Sequence, residues 1–229
     1  MDKNKIFLLL GIFVCSLIFM VLEPSAMGKK RIILIDPAHG GQETGIKLKN
    51  DVTEKDVTLA VALSIRKELA NENNLEIILT RDSDRTVTIE ERKEIIEKVK
   101  PDFFISLHVN GGFGKNASGF ELYYPELNED IIKDKKMSKD DKLKIRKKYQ
   151  NDSLKMAKIV QENLNALFPR KGRGLRKANL AITDGLDVSA LLVEMSFGTN
   201  SDDKNKLLSL QTQTEISKSI ASSIKSFFR

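Results

Sequence analysis

From Arg31 onward, short continuous apolar runs alternate with segments whose apolar positions recur every three or four residues. The first pattern reads as buried strand and the second as one face of a helix. Arg31–Asp36 is a strand that ends in Pro-Ala-His-Gly-Gly. Val57, Ala60, Val61, Ile65 and Leu69 then mark a helix over Thr53–Glu72, with Thr53 as N-cap and Asp56 three positions on. Leu75–Thr80 is a second strand, and Thr88 with Glu91 opens a helix to Lys98 as a capping box. Strands follow at Phe103–Leu107 and Gly119–Tyr124. A helix over Asn151–Phe168 buries Leu154, Ala157, Val160, Leu164 and Leu167, and Pro169 stops it. The last strands are expected at Ala178–Thr183 and Ala190–Val193, and a closing helix at Thr212–Phe228. This alternation predicts an α/β fold: a single domain, 30–229, with an open, mostly parallel twisted sheet covered by helices on both faces. No internal repeat and no linker divides it.

Residues 125–150 break the rhythm. They are dense in both charge signs and poor in apolar residues, which reads as a solvated loop or exposed helix, with a mobile lid as the sharper alternative. The first 26 residues differ again: Lys3 and Lys5 precede Ile6–Leu22, 17 positions without a charge, and small residues follow at Ser25-Ala26. That is an export signal, either a cleaved signal peptide or a retained N-terminal membrane anchor through residues 6–22. The chain is therefore expected in the periplasm, the cell envelope or the extracellular space. Its one cysteine, Cys15, lies inside that segment, so the exported part has no disulfide and rests on its core. The net charge of +6 survives removal of residues 1–26 and suits an anionic surface or polymer. Nucleic acid is not expected, because export removes it from reach and the basic residues are not interleaved with aromatics.

The chemistry-bearing residues gather at strand ends. The only two histidines, His39 and His108, each close an apolar run, and the rim of an open α/β sheet is where such folds place ligands. Imidazole is a common metal ligand, and a catalytic zinc usually takes three protein ligands and leaves one position open. Taken singly, each histidine reads more readily as a hydrogen-bonded structural residue than as a ligand. Glu54 opens the first long helix, where it either complements the helix N-terminus or points back over the rim towards His39. Glu194 follows Ala190-Leu-Leu-Val at a third strand end, where a carboxylate is either buried at a cost or employed.

The segments Ile35-Asp-Pro-Ala-His-Gly-Gly, Glu54, Ser106-Leu-His-Val-Asn and Leu192-Val-Glu-Met-Ser-Phe-Gly-Thr-Asn resemble, in order, the motifs of the zinc-dependent N-acetylmuramoyl-L-alanine amidases. Thr80-Arg81-Asp82, Arg92 and Gly119-Phe-Glu-Leu-Tyr-Tyr extend the likeness over residues 31–229. The resemblance implies one zinc ion held by His39, Glu54 and His108, Glu194 as the catalytic carboxylate, and Asn110 as a substrate-binding residue. It implies peptidoglycan as substrate, cut at the amide between N-acetylmuramic acid and L-alanine, and it leaves room for a protein activator. Ala38 and Ser196 stand where the family commonly has glycine, and Gly198 and Thr199 also depart from its pattern, but no ligand position is lost. Family members with an autoinhibitory helix carry it where this chain has its charged excursion, which shows no clear apolar face. The rival readings are a non-catalytic peptidoglycan-binding or amidase-regulating protein and a zinc peptidase cutting within the stem peptide. A phosphate-binding role for Gly40-Gly41 lacks the accompanying lysine loop.

Overall fold

The strand that carries the first motif is also the strand on which the sheet is centred. A computed structural model describes residues 29–112, 116–126, 136–168, 174–179, 181–182 and 188–229. The export segment, residues 1–26, lies outside them. Arg31–Arg229 is one compact unit. Its elements run β1 (Arg31–Pro37), β2 (Lys47–Lys49), β3 (Val52–Thr53), α1 (Glu54–Glu68), β4 (Leu75–Leu79), α2 (Ile89–Val99) and β5 (Phe103–Asn110). They continue as β6 (Glu121–Pro125), α3 (Lys139–Asn165), β7 (Gly174–Ala178), β8 (Ala190–Phe197), α4 (Ser201–Leu207) and α5 (Leu210–Phe227).

Six strands form one sheet in the order β4-β1-β5-β8-β6-β7. The first four are mutually parallel; β6 pairs antiparallel with β8 and parallel with β7. The sheet is thus mostly parallel, with a reversed pair at one edge. Successive side chains on a strand face opposite ways. Ile33, Ile35, Phe103, Ile105, Leu191 and Val193 enter the larger core, which also takes residues from α1, α3 and α5. Leu34, Phe104, Ala190 and Leu192 turn to the other face, where Ile96 of α2 meets them. Both faces are covered, and on the side of α2, where Ile182 and Val188 also pack, a cleft opens at the ends of β1, β5 and β8.

Three expectations change. The edge strand is Gly174–Ala178 rather than Ala178–Thr183. Its Gly-Leu-Arg-Lys-Ala sequence looks too polar for a strand, yet an edge strand is where charge is tolerated. Strands β5 and β8 run past Leu107 and Val193 to Asn110 and Phe197, because each supplies the other's hydrogen bonds with His108 opposite Glu194. Finally, the helix expected over Asn151–Phe168 runs Lys139–Asn165, so that of the two readings of the excursion, loop or exposed helix, Lys139–Gln150 takes the second, capped by the Ser138 hydroxyl accepting from the Asp141 N–H. Every residue α3 buries lies at Ser153 or beyond, so its charged half is the exposed helix. Residues 127–135 of the excursion lie outside the described residues.

Candidate active site

Continuing the alternation along the strands builds the site. Asp36 follows Leu34 on β1, Ser106 and His108 follow Phe104 on β5, and Glu194 follows Leu192 on β8, all on the α2 face. Antiparallel pairing places Glu121 of β6 directly beside Glu194, and Tyr123 beside Leu192. Strand β7 then sets Arg176 beside Tyr123. One row of functional groups therefore crosses the sheet at the carboxyl ends of its central strands.

His39 sits just beyond β1 with φ +61°, a left-handed backbone unusual for a residue with a side chain. Two buried guanidinium groups hold that loop. Arg81 donates from Nε to the Pro37 carbonyl (2.9 Å) and from Nη2 to the Ala38 carbonyl (3.0 Å). Arg92 pairs with Asp36 and donates from Nη2 to the His39 carbonyl (2.8 Å). Burial lowers the Arg81 pKa from its usual value, with the Arg92 charge adding to the effect. The Gly40 and Gly41 N–H groups are also engaged, by the Glu43 carbonyl and by Asp84, which removes the phosphate-binding reading.

Glu54 reaches the row from the N-terminus of α1 on the opposite face. Its Oε1 lies 3.1 Å from His39 Nε2 and 3.3 Å from His108 Nδ1. The Val109 N–H donates to Oε1 (2.9 Å) and the Ile46 N–H to Oε2 (3.1 Å). Burial alone would raise this carboxyl; the hydrogen bonds from His108, His39 and Val109 overcome it and hold the pKa down to about 2. The Glu54 hydrogen bond raises His39 above 6.5 against the opposing effect of burial, with Glu43 contributing. The hairpin of β2 and β3 brings Gly45 (φ +64°) against this pair, where an added Cβ would lie 2.5 Å from Glu54 Oε2 and 2.6 Å from His39 Cδ2.

His39, Glu54 and His108 each offer one ligand atom, and the three atoms lie within 4.8 Å of one another. The outer nitrogen of each imidazole is occupied: His39 Nδ1 by Glu43 Oε1 (3.0 Å), His108 Nε2 by Ser106 Oγ (3.1 Å). Ser106 in turn donates to Asp36 Oδ2 (2.9 Å), and Thr80 donates to Asp36 Oδ1 (2.6 Å). Such outer partners fix the tautomer that leaves the inner nitrogen free to ligate. The donor set, two imidazoles and a carboxylate with supported outer shells, suits a zinc ion.

Glu194 differs from the carboxylates around it. Its Oε2 is buried and has no hydrogen-bond partner among the described residues. Burial pushes its pKa up to about 7, with Glu54 and Glu121 adding repulsion and His108 and His39 opposing. Glu121 beside it is fully engaged: Oε2 accepts from Asn110 Nδ2 (2.7 Å) and the Tyr123 hydroxyl (2.9 Å), and Oε1 from Arg176 Nε (3.1 Å). Burial and the bond to Glu121 raise Tyr123 to about 12. Of the two adjacent carboxylates, only Glu194 has an oxygen to spare. A cleft of about 330 Å³ brings His39, His108 and Glu194 to solvent, walled by Ile89, Arg92 and Ile182. A second, of about 660 Å³, opens beyond Glu121. No residue of α3 lines either one.

The family profile described as N-acetylmuramoyl-L-alanine amidase (Amidase_3) matches residues 33–226. The chain belongs to that family. It is 32% identical over 179 residues to the N-acetylmuramoyl-L-alanine amidase CwlM of Bacillus licheniformis, covering 77% of this chain and 60% of that protein. It is 26% identical over 230 residues to the amidase AmiC of Escherichia coli O6:H1, covering 90% of this chain and 55% of that protein. The chain thus spans little more than half the length of these two relatives. Among solved structures, the amidase AmiC2 of Nostoc punctiforme superposes with a TM-score of 0.68 at 26% identity, over 87% of this chain and 98% of that one.

The four residues singled out from the sequence, His39, Glu54, His108 and Glu194, come together. Asn110 lines the second cleft and is engaged with Glu121. Sequence reasoning quoted Asp36, Ser106 and Glu121 only inside motifs, without a role, and passed over Arg176. The alternation within Phe103–Asn110 signals Ser106, two residues before His108; Glu121 shows only as part of its motif, and Arg176 gives no local sign.

Proposed function

We propose that this chain hydrolyses the amide between the lactyl group of N-acetylmuramic acid and L-alanine in peptidoglycan, using one zinc ion held by His39, Glu54 and His108. The observation that carries the reading is the three-donor cluster beside a buried carboxylate oxygen that has no partner. When bound there, zinc supplies Lewis acidity, which polarises the scissile carbonyl and acidifies a water. Glu194 acts as the general base. Its unpartnered Oε2 takes a proton from water as the new C–O bond forms, and returns that proton to the alanine nitrogen as the C–N bond breaks. The products are a lactyl carboxylate and a free alanine amine. Glu43 and Ser106 hold the imidazoles in their ligating tautomers, while Arg81 and Arg92 hold the loop that carries His39. Glu121 is spent on its own hydrogen bonds and takes no proton.

Residues 1–26 would direct export, as signal peptide or anchor, and residues 30–229 would act outside the cytoplasmic membrane. Among the described residues, no helix is long and apolar enough to cross a membrane. A protein activator is a further part of the reading. The CwlD amidase of Clostridioides difficile was solved in complex with the GerS lipoprotein, and its chain superposes with a TM-score of 0.69.

Mass analysis of muropeptides digested by the zinc-loaded protein tests the proposal. Free stem peptides and peptide-free glycan are expected, abolished by chelator and restored by zinc. Cleavage within the stem peptide, or full activity after chelation, would overturn it.

A further inference from the structure

We propose that Arg176 is a specificity-determining residue that anchors the free carboxylate of the second stem-peptide residue, so that the site distinguishes acidic from amidated peptides. The inference rests on the amidase reading above and assigns a side to each half of the substrate.

Once the lactyl carboxyl is tied up in the scissile amide, the glycan next to it is neutral. The anionic groups of the substrate then lie in the stem peptide, and a cation in line with the reacting atoms marks the peptide side. Arg176 is that cation. The row across the sheet runs His108, Glu194 and Glu121, one strand after another, and Arg176, opposite Tyr123 on β7, reaches back to Glu121 through its side chain.

The arginine is built for the task. Its Nε donates to Glu121 Oε1, and Glu121 is itself buried and tied to Asn110 and Tyr123, so the guanidinium is held at a fixed place. Among the described residues no hydrogen bond or ion pair engages Nη1 or Nη2. The side chain is 49% exposed and lines the 660 Å³ cleft with Tyr123, Asn110 and Asn116. A guanidinium with one edge fixed presents its other edge as a planar fork, which suits a carboxylate better than a lysine's point charge does.

The reach agrees. Neighbouring strands lie about 4.8 Å apart. The guanidinium, one hydrogen bond beyond Glu121, therefore stands about 5–10 Å from Glu194. Two extended residues cover about 7 Å. A carboxylate on the second residue past the scissile amide falls in that interval. An amide in its place keeps one carbonyl acceptor for the fork but turns an NH2 towards its second N–H, leaving those two donors facing each other unpaired.

The test compares two disaccharide-tripeptides that differ only in whether the second residue's carboxyl is free or amidated, digested by wild-type, Arg176→Lys and Arg176→Met zinc-loaded protein. Wild type is expected to favour the free acid by about 10-fold or more in kcat/KM, mainly through KM. Arg176→Met should erase that preference and Arg176→Lys retain part of it. Calorimetric binding of the corresponding free tripeptide to metal-depleted protein should weaken in the same order, a readout independent of turnover. Equal cleavage of both substrates by wild type, or a preference that persists in Arg176→Met, overturns the anchor while leaving the amidase reading intact. Failure of wild type to cut the muramoyl–alanine bond in either substrate overturns both.

Discussion

Glu194 is held in the folded chain against its own preference, and the cost is measurable without any catalysis. In the unfolded chain it ionises near 4.5; in the fold burial delays this to about 7. Between those values the folded state binds more protons than the unfolded one, so stability falls as pH rises. The contribution is fully present below 4.5 and gone once pH has passed through 7. The gap corresponds to about 3 kcal/mol, and solvent in the adjoining cleft trims it to about 2–3 kcal/mol. Glu194→Gln keeps the shape and cannot ionise. The other titrating groups are common to both proteins, so their difference isolates Glu194. Urea unfolding of metal-free protein at pH 4 and pH 9 should show Glu194→Gln gaining about 2–3 kcal/mol on wild type between the two. Added zinc should narrow that gap, since a nearby cation favours the carboxylate. A wild-type-minus-variant difference flat within about 0.5 kcal/mol, the usual scale of an inert substitution, would refute the reasoning.

Gly45→Ala forces a methyl group into Glu54 and His39 from a left-handed backbone; zinc content by atomic absorption should fall to a small fraction of wild type, and normal occupancy would count against the packing described. Zinc affinity measured by chelator competition should fall with acidity below a pH that lies above 6.5, because the proton that Glu54 favours on His39 must leave before the nitrogen can ligate; an affinity independent of pH across that range would contradict it. Ser106→Ala removes the group between His108 and Asp36 and should weaken zinc binding about 10- to 100-fold, with circular dichroism confirming an intact fold; a change under twofold would show that the serine does not orient the ring.

The parallel half of the sheet was legible because buried strands there are continuous apolar runs, as at Ile32–Ile35 and Phe103–Ile105. The four residues of the cluster were legible because each adjoins such a run or opens a helix. The edge strand at Gly174–Ala178 was not, since half of its residues face water and its pairing with β6 is invisible along the chain. The reach of His108 and Glu194 inside their strands was hidden for a related reason: it depends on two segments, about 86 positions apart by their register, completing each other's hydrogen bonds. Glu121 stood in a quoted motif but its role was hidden, because that role is cross-strand, set by an antiparallel neighbour. The Lys139–Gln150 half of α3 has a charge density that suits a loop or an exposed helix equally, and what decides for helix is the Ser138 cap and the continuity with a second half packed on the core.

The side chains that cross the sheet in a row come from β1, β5, β8, β6 and β7, and no two of them are neighbours in sequence. No fragment of the chain contains the set. A slip of one residue in the pairing of β8 would turn Glu194 into the apolar core and Met195 towards the cleft. The site is therefore complete only when β8 lies between β5 and β6. Until then the donors and Glu194 are not together, so on the proposed amidase reading the order of the strands itself keeps the unfolded chain from cutting.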